Sequence, residues 1–100
     1  MVYQIKESTF QNKIIRKLKK LDNCWYCKIW GGGFQKSGIP DLIICYKGKF
    51  ITVELKAEKG ILSPLQKVTL ELIEKAGGKT LVLKPSNEQD LWDLLERIYD

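Results

Sequence analysis

The stretch from Gly38 to Gly60, GIPDLIICYKGKFITVELKAEKG, constrains this chain most. Two apolar runs, residues 40–46 and 50–57, flank the polar turn Lys47, Gly48, Lys49. β-Branched and aromatic residues on both sides of a glycine turn predict a β-hairpin. Glu54 and Lys56 interrupt the second run. Side chains two apart on a strand share a face, with about 6.6 Å between Cα atoms. Asp41 opens the neighbouring strand, and antiparallel pairing would set it opposite Glu54 or Lys56. Two carboxylates and an amine at a sheet edge make a candidate metal and phosphate site.

The rest of the chain narrows the chemistry. One hundred residues make one domain with a single modest core. The absence of histidine excludes a histidine acid–base site and histidine-ligated zinc. The net charge of +5 favours an anionic partner. No apolar run approaches the roughly 20 residues needed to cross a membrane, and no signal-peptide stretch opens the chain. Three cysteines give no paired disulfide framework, which points to an intracellular, reducing compartment.

Residues 7–21 predict the first helix. Ile5, Phe10, Ile14, Ile15, Leu18 and Leu21 recur at helical spacing, while Lys6, Lys13, Arg16, Lys19 and Lys20 take the other sides. The basic face is either solvated or laid against phosphates. Glu7 favours the helix N-terminus electrostatically, or points back towards the hairpin as a further acid. Residues 24–30 predict a strand beside the hairpin. Cys24 and Cys27 have zinc-like spacing but lack a second pair, so ordinary thiols are favoured over metal or redox roles. Trp25 and Trp30 either pack in the core or a dimer contact, or stack on exposed bases. We expect packing for at least one of them. The loop at residues 31–38 lacks the pattern of a P-loop. It is a long turn, or it lets Lys36, Ser37 and backbone amides approach a phosphate near Asp41.

Beyond the hairpin, Ser63 and Pro64 open a second helix as N-cap and first residue, with Gln66 completing a capping box. Its expected inward face is Leu65, Val68, Leu70, Leu72, Ile73 and Ala76, ended by Gly77 and Gly78. Residues 79–84 predict a strand parallel to the last hairpin strand through a right-handed crossover. Ser86 or Asn87 would cap a final helix turning Leu91, Leu94, Leu95 and Ile98 inward, with Trp92 and Tyr99 helping to cover the core. Its acids make it unsuited to face DNA. The predicted class is α/β, a mixed sheet flanked by helices in the order α-β-β-β-α-β-α.

The ordered set Gly38-Ile39-Pro40-Asp41, Val53-Glu54-Leu55-Lys56 and Leu62-Ser63-Pro64-Leu65-Gln66 resembles the PD-(D/E)XK nuclease superfamily. Within it, the chain looks like the VRR-NUC family of virus-type replication-repair nucleases, whose small stand-alone members occur in phages. The correspondence runs from Glu7 through Val82. The resemblance implies a restriction-endonuclease-like core and a DNA endonuclease using Mg2+ or Mn2+. Asp41, Glu54 and the Leu55 carbonyl would hold the metal. Lys56 would position or polarise the attacking water, Glu7 would match an acid of the first helix, and Gln66 a family glutamine. It also implies a homodimer acting on branched DNA such as four-way junctions, and a bacterial cytoplasm if phage-encoded. Lys13, Arg16, Lys20, Lys36 and Ser37 are the expected DNA contacts; no membrane or organic cofactor is expected. The alternative is a non-catalytic nucleic-acid-binding or assembly module on the same fold.

Overall fold

The computed structural model describes residues 6–29 and 38–98. Its elements are α1 (Glu7–Leu18), β1 (Cys24–Lys28), β2 (Leu42–Tyr46), β3 (Lys49–Leu55), α2 (Pro64–Lys75), β4 (Lys79–Leu83), a 3-10 turn (Pro85–Asn87) and α3 (Gln89–Arg97). The fold is α/β, with three helices flanking a mixed sheet in the order β1-β2-β3-β4. The first two pairings are antiparallel, and β3–β4 is parallel. A parallel neighbour demands a crossover, and α2 supplies it.

The hairpin turn is tighter than expected. Tyr46 pairs with Lys49, so only Lys47 and Gly48 turn. Both have positive φ, 51° and 83°, as the common two-residue hairpin turn requires. β3 is one of the two inner strands, and alternation gives it two buried faces. Ile51, Val53 and Leu55 join Leu42, Ile44, Tyr46 and Leu83 on one face. Phe10, Ile14 and Leu18 of α1 and Leu91 and Leu95 of α3 cover that face and form the core with it. Thr52 and Glu54 point to the opposite face, beneath α2, and are also buried.

Glu88 ties α3 to α1. It pairs with Lys13 at 3.0 Å and with Lys17, and accepts from Trp92 Nε1 at 2.9 Å. Lys17 Nζ also lies 5.5 Å from the Trp92 ring centre. Burial pushes the Glu88 carboxyl up, but the hydrogen bonds from Lys17, Trp92 and Lys13 prevail and hold it at about 2.

Several boundaries and faces differ from the sequence reading. α1 stops at Leu18, three residues early, because Lys20 and Leu21 donate back three residues and tighten the chain out of the helix. β3 and β4 end at Leu55 and Leu83, so Lys56, Ala57 and Lys84 lie past them. Neither Ser86 nor Asn87 caps α3. Glu88 holds the position before it, and Asn87 Oδ1 instead accepts from Lys84 N–H at 2.6 Å, closing the 3-10 turn.

The larger departure is α2, where only Leu70 is buried. Gln66, Leu70 and Ile73 share the face towards the sheet at helical spacing. Leu65, Val68 and Leu72 fall on a flank and are 46%, 50% and 60% exposed. Trp25 is 61% exposed and takes no core position. Ile5, Trp30, Tyr99 and the loop holding Lys36 and Ser37 lie outside the described residues. Among the described residues no helix is long and apolar enough to cross a membrane.

Candidate active site

Strand register brings the two acids together. Leu42 pairs with Val53, so one further step sets Asp41 beside Glu54. Asp41 Oδ2 accepts the Leu55 N–H at 2.8 Å, which fixes its carboxylate at the end of β3. One more step would set Pro40 across from Leu55, and proline has no amide hydrogen to offer the Leu55 carbonyl. The approach to Asp41 is fixed by Gly38, at φ 87°. A Cβ there would lie 2.9 Å from Thr69 Oγ1 and 3.0 Å from Leu65. Only glycine lets this segment lie against α2 in that conformation.

Glu54 is 2% exposed. Its Oε1 accepts from Gln66 Nε2 at 3.1 Å, while its buried Oε2 has no hydrogen-bond donor among the described residues. Its pKa is pushed up to about 8. Burial is the main cause, followed by the Asp41 carboxyl as hydrogen-bond partner and as like charge. Lys56 pulls the other way, and Glu7 adds the last and smallest push. A buried carboxyl oxygen without a donor needs a proton or a cation to satisfy it. The Asp41 and Glu54 carboxylates and the Leu55 carbonyl are all oxygen donors, the set a hard divalent cation takes. The residues present therefore fit Mg2+ or Mn2+.

Lys56 follows β3 directly, and its N–H donates to Leu83 O at 2.9 Å. The turn after it closes through Gly60 N–H to Ala57 O at 2.8 Å. A Cβ on Gly60 would stand 3.2 Å from Lys56 Cβ and 3.3 Å from Cδ, so the turn packs along the lysine stem. Gln66 carries two duties. Its Oε1 accepts the Ser63 N–H at 2.8 Å while its N–H donates to Ser63 Oγ at 3.1 Å, completing the predicted capping box. Its remaining amide donor faces Glu54.

Asp41, the Leu55 N–H, Glu54 and Gln66 are thus joined by contacts, and Lys56 acts on Glu54 through its charge. Glu7 sits exposed in the first turn of α1 and acts on Glu54 only through its charge. Among the described residues no three acidic, cysteine or histidine side chains form a metal-binding group. Cys24, Cys27 and Cys45 are free thiols. Of the expected DNA contacts, Lys13 is engaged by Glu88, whereas Arg16 and Lys20 are exposed. The sequence reading gave no inward role to Gln11 and Thr52, which are buried, or to Glu88, which is half-buried. Glu88 gave no local signal beyond its four-residue spacing to Trp92. Thr52, whose buried hydroxyl also has no partner among the described residues, was visible as the polar residue two before Glu54 on the same strand face.

No protein-family model matches the chain, and no match was found among curated proteins or solved structures.

Proposed function

We propose that the chain is a divalent-metal-dependent endonuclease that hydrolyses DNA phosphodiester bonds, with branched DNA such as a four-way junction as its substrate. The observation that carries the reading is the buried Glu54 oxygen without a donor, held against Asp41 and beside Lys56. Asp41, Glu54 and the Leu55 carbonyl would hold Mg2+ or Mn2+. A cation bound there would supply the Lewis acidity that lowers the pKa of a water and offsets phosphoryl charge. Gln66 keeps one Glu54 oxygen fixed, so the other is presented in one direction. Lys56 brings a positive donor to the phosphate as negative charge develops, without acting as a base. Water oxygen joins phosphorus and the bond to the 3′ oxygen breaks, giving 5′-phosphate and 3′-hydroxyl ends. The resemblance to the VRR-NUC nucleases supports the same assignment.

Arg16 and Lys20 would meet flanking phosphates. A two-fold homodimer would set two such sites against opposing strands of a junction. The exposed stripe Leu65, Val68 and Leu72 on α2 is its candidate surface. Helix α2 carries both signs of charge, Lys67 and Lys75 with Glu71 and Glu74, which suits a self-complementary contact. Leu65→Glu with Leu72→Glu should then yield a monomer by light scattering; an unchanged mass would rule this surface out.

The second reading is a nucleic-acid-binding or assembly module that does not cleave. It is favoured by the described residues bringing only two carboxylates together. One panel decides: linear duplex, flap, four-way junction and structured RNA, each with Mg2+ or Mn2+, against wild type and Glu54→Ala. Cleavage of the junction by wild type alone is expected. Tight binding without turnover on every substrate would favour the module, and equal cleavage by Glu54→Ala would sink the site.

A further inference from the structure

We propose that Trp25 and Phe50 form a stacking platform for unpaired bases of a nucleic-acid single strand. Trp25 pairs with Cys45, and Cys45 pairs with Phe50. The three residues make one row across β1, β2 and β3, on the α2 side of the sheet. Residues in register share a face, so the two rings lie two strand spacings apart, about 10 Å. Both stand open, Trp25 61% and Phe50 48% exposed, with the small exposed side chain of Cys45 between them. Gly78 makes room for Phe50, since a Cβ there would lie 3.0 Å from the ring and 2.8 Å from Ile73 Cγ2. Large rings held on a sheet face offer bases a stacking surface that is tolerant of sequence.

The surrounding charge selects the occupant. Lys47 lines the recess beside Trp25 and Cys45, and Lys49 lines the one beside Phe50 and Gly78. Lys79 and Arg97 line a third recess that reaches Phe50 from the α3 side of the sheet. Among the described residues no carboxylate lines any of the three. The C-terminal end of α3 accounts for Arg97. It does not account for Lys49 beside the hairpin turn, nor for Lys47 in it, whose Nζ lies 5.3 Å from the Tyr46 ring centre. A second copy of this chain would set cations against cations here, whereas a phosphate backbone offsets them. The α2 stripe, with both signs of charge, differs in this respect. Asp41, the residue just before β2, lies four residues from Cys45 on the same face, about 13 Å away. A strand stacked on the rings would therefore run towards the two acids, placing unpaired bases near the cut. That last step rests on the phosphodiesterase reading; the stacking does not.

The test measures binding by fluorescence anisotropy in chelator, using a labelled oligothymidylate and a blunt duplex of the same length. Wild type should hold the single strand more tightly. Trp25→Ala and Phe50→Ala should each weaken single-strand binding about 5- to 150-fold, the usual worth of one stacked base, and change duplex binding less than about twofold. Trp25→Phe, which keeps a ring, should bind better than Trp25→Leu, a comparison that stands even if the alanine variants melt early. Equal affinity of wild type for both forms, parallel losses on both, or indifference between Trp25→Phe and Trp25→Leu would overturn the platform. So would a switch from dimer to monomer in the ring variants, which would make the rings a subunit contact. Because no metal is present, a failure to cleave leaves this result standing.

Discussion

Replacing Glu54 with glutamine should stabilise the metal-free protein near neutral pH. The folded Glu54 carboxyl keeps its proton up to about pH 8, against an ordinary value of 4.5. Between those values the unfolded chain has released the proton and the folded chain has not. The folded state binds more protons, so stability falls as pH rises across this window and levels off above it. From pH 5 to pH 7 the loss from this one group is roughly 2–3 kcal/mol. Glu54→Gln has no proton to lose. Its amide can still accept from Gln66 and can donate to Asp41, so the packing is kept. Melting of wild type and Glu54→Gln in chelator, across pH 5 to 8, reads the difference. For a domain of this size the gap at pH 7 should be roughly 10–20 °C in favour of the variant, and should shrink towards pH 5. Parallel pH profiles, or a variant less stable than wild type at pH 7, would refute the account of the buried carboxyl.

Adding Mg2+ or Mn2+ at pH 7 should reverse that order and raise the melting point of wild type only. Calorimetry in two buffers of different ionisation enthalpy should show close to one proton released per metal bound, and none for Glu54→Gln. Glu88→Gln should cost roughly 2–3 kcal/mol by chemical denaturation, since it leaves Lys13, Lys17 and Trp92 short of a partner. The Glu88 contribution is present above its ordinary pKa of 4.5 and lost as pH falls towards about 2, so the wild type and variant should converge in acid. Gly38→Ala should destabilise by about 1–2 kcal/mol from its positive φ alone and lower cleavage further, because the strain displaces Asp41. A variant with wild-type activity would argue that this segment does not place the acid.

Much of the site was legible in the sequence because it depends on short-range rules. Strand alternation puts Asp41, Glu54 and Lys56 at one end of the hairpin, and Ser63-Pro64-Leu65-Gln66 spells its own helix start. The two-residue turn that sets Asp41 opposite Glu54 was not legible, because Lys49 reads as a turn residue and instead pairs with Tyr46. The outward flank of α2 was not legible. Spacing shows that Leu65, Val68 and Leu72 are apolar and helical, but only the placement of α2 over β3 and β4 leaves them uncovered. Glu88 was missed for a related reason: Lys17 lies 71 residues away, and no local pattern announces such a pair. The same pair changes the reading of Lys13, which looked like one more cation on a basic helix and is held by α3.

Gln66 joins two demands that sequence drift would otherwise treat separately. Glutamate serves a capping box as well as glutamine, so Gln66→Glu would leave the start of α2 intact. It would also set an acceptor where Glu54 now finds a donor, adding a third negative group to an already crowded pair. A change silent to the helix is therefore loud at the carboxyls. Folding measurements on such a variant would report a healthy protein, and only a readout taken at the site would register the damage.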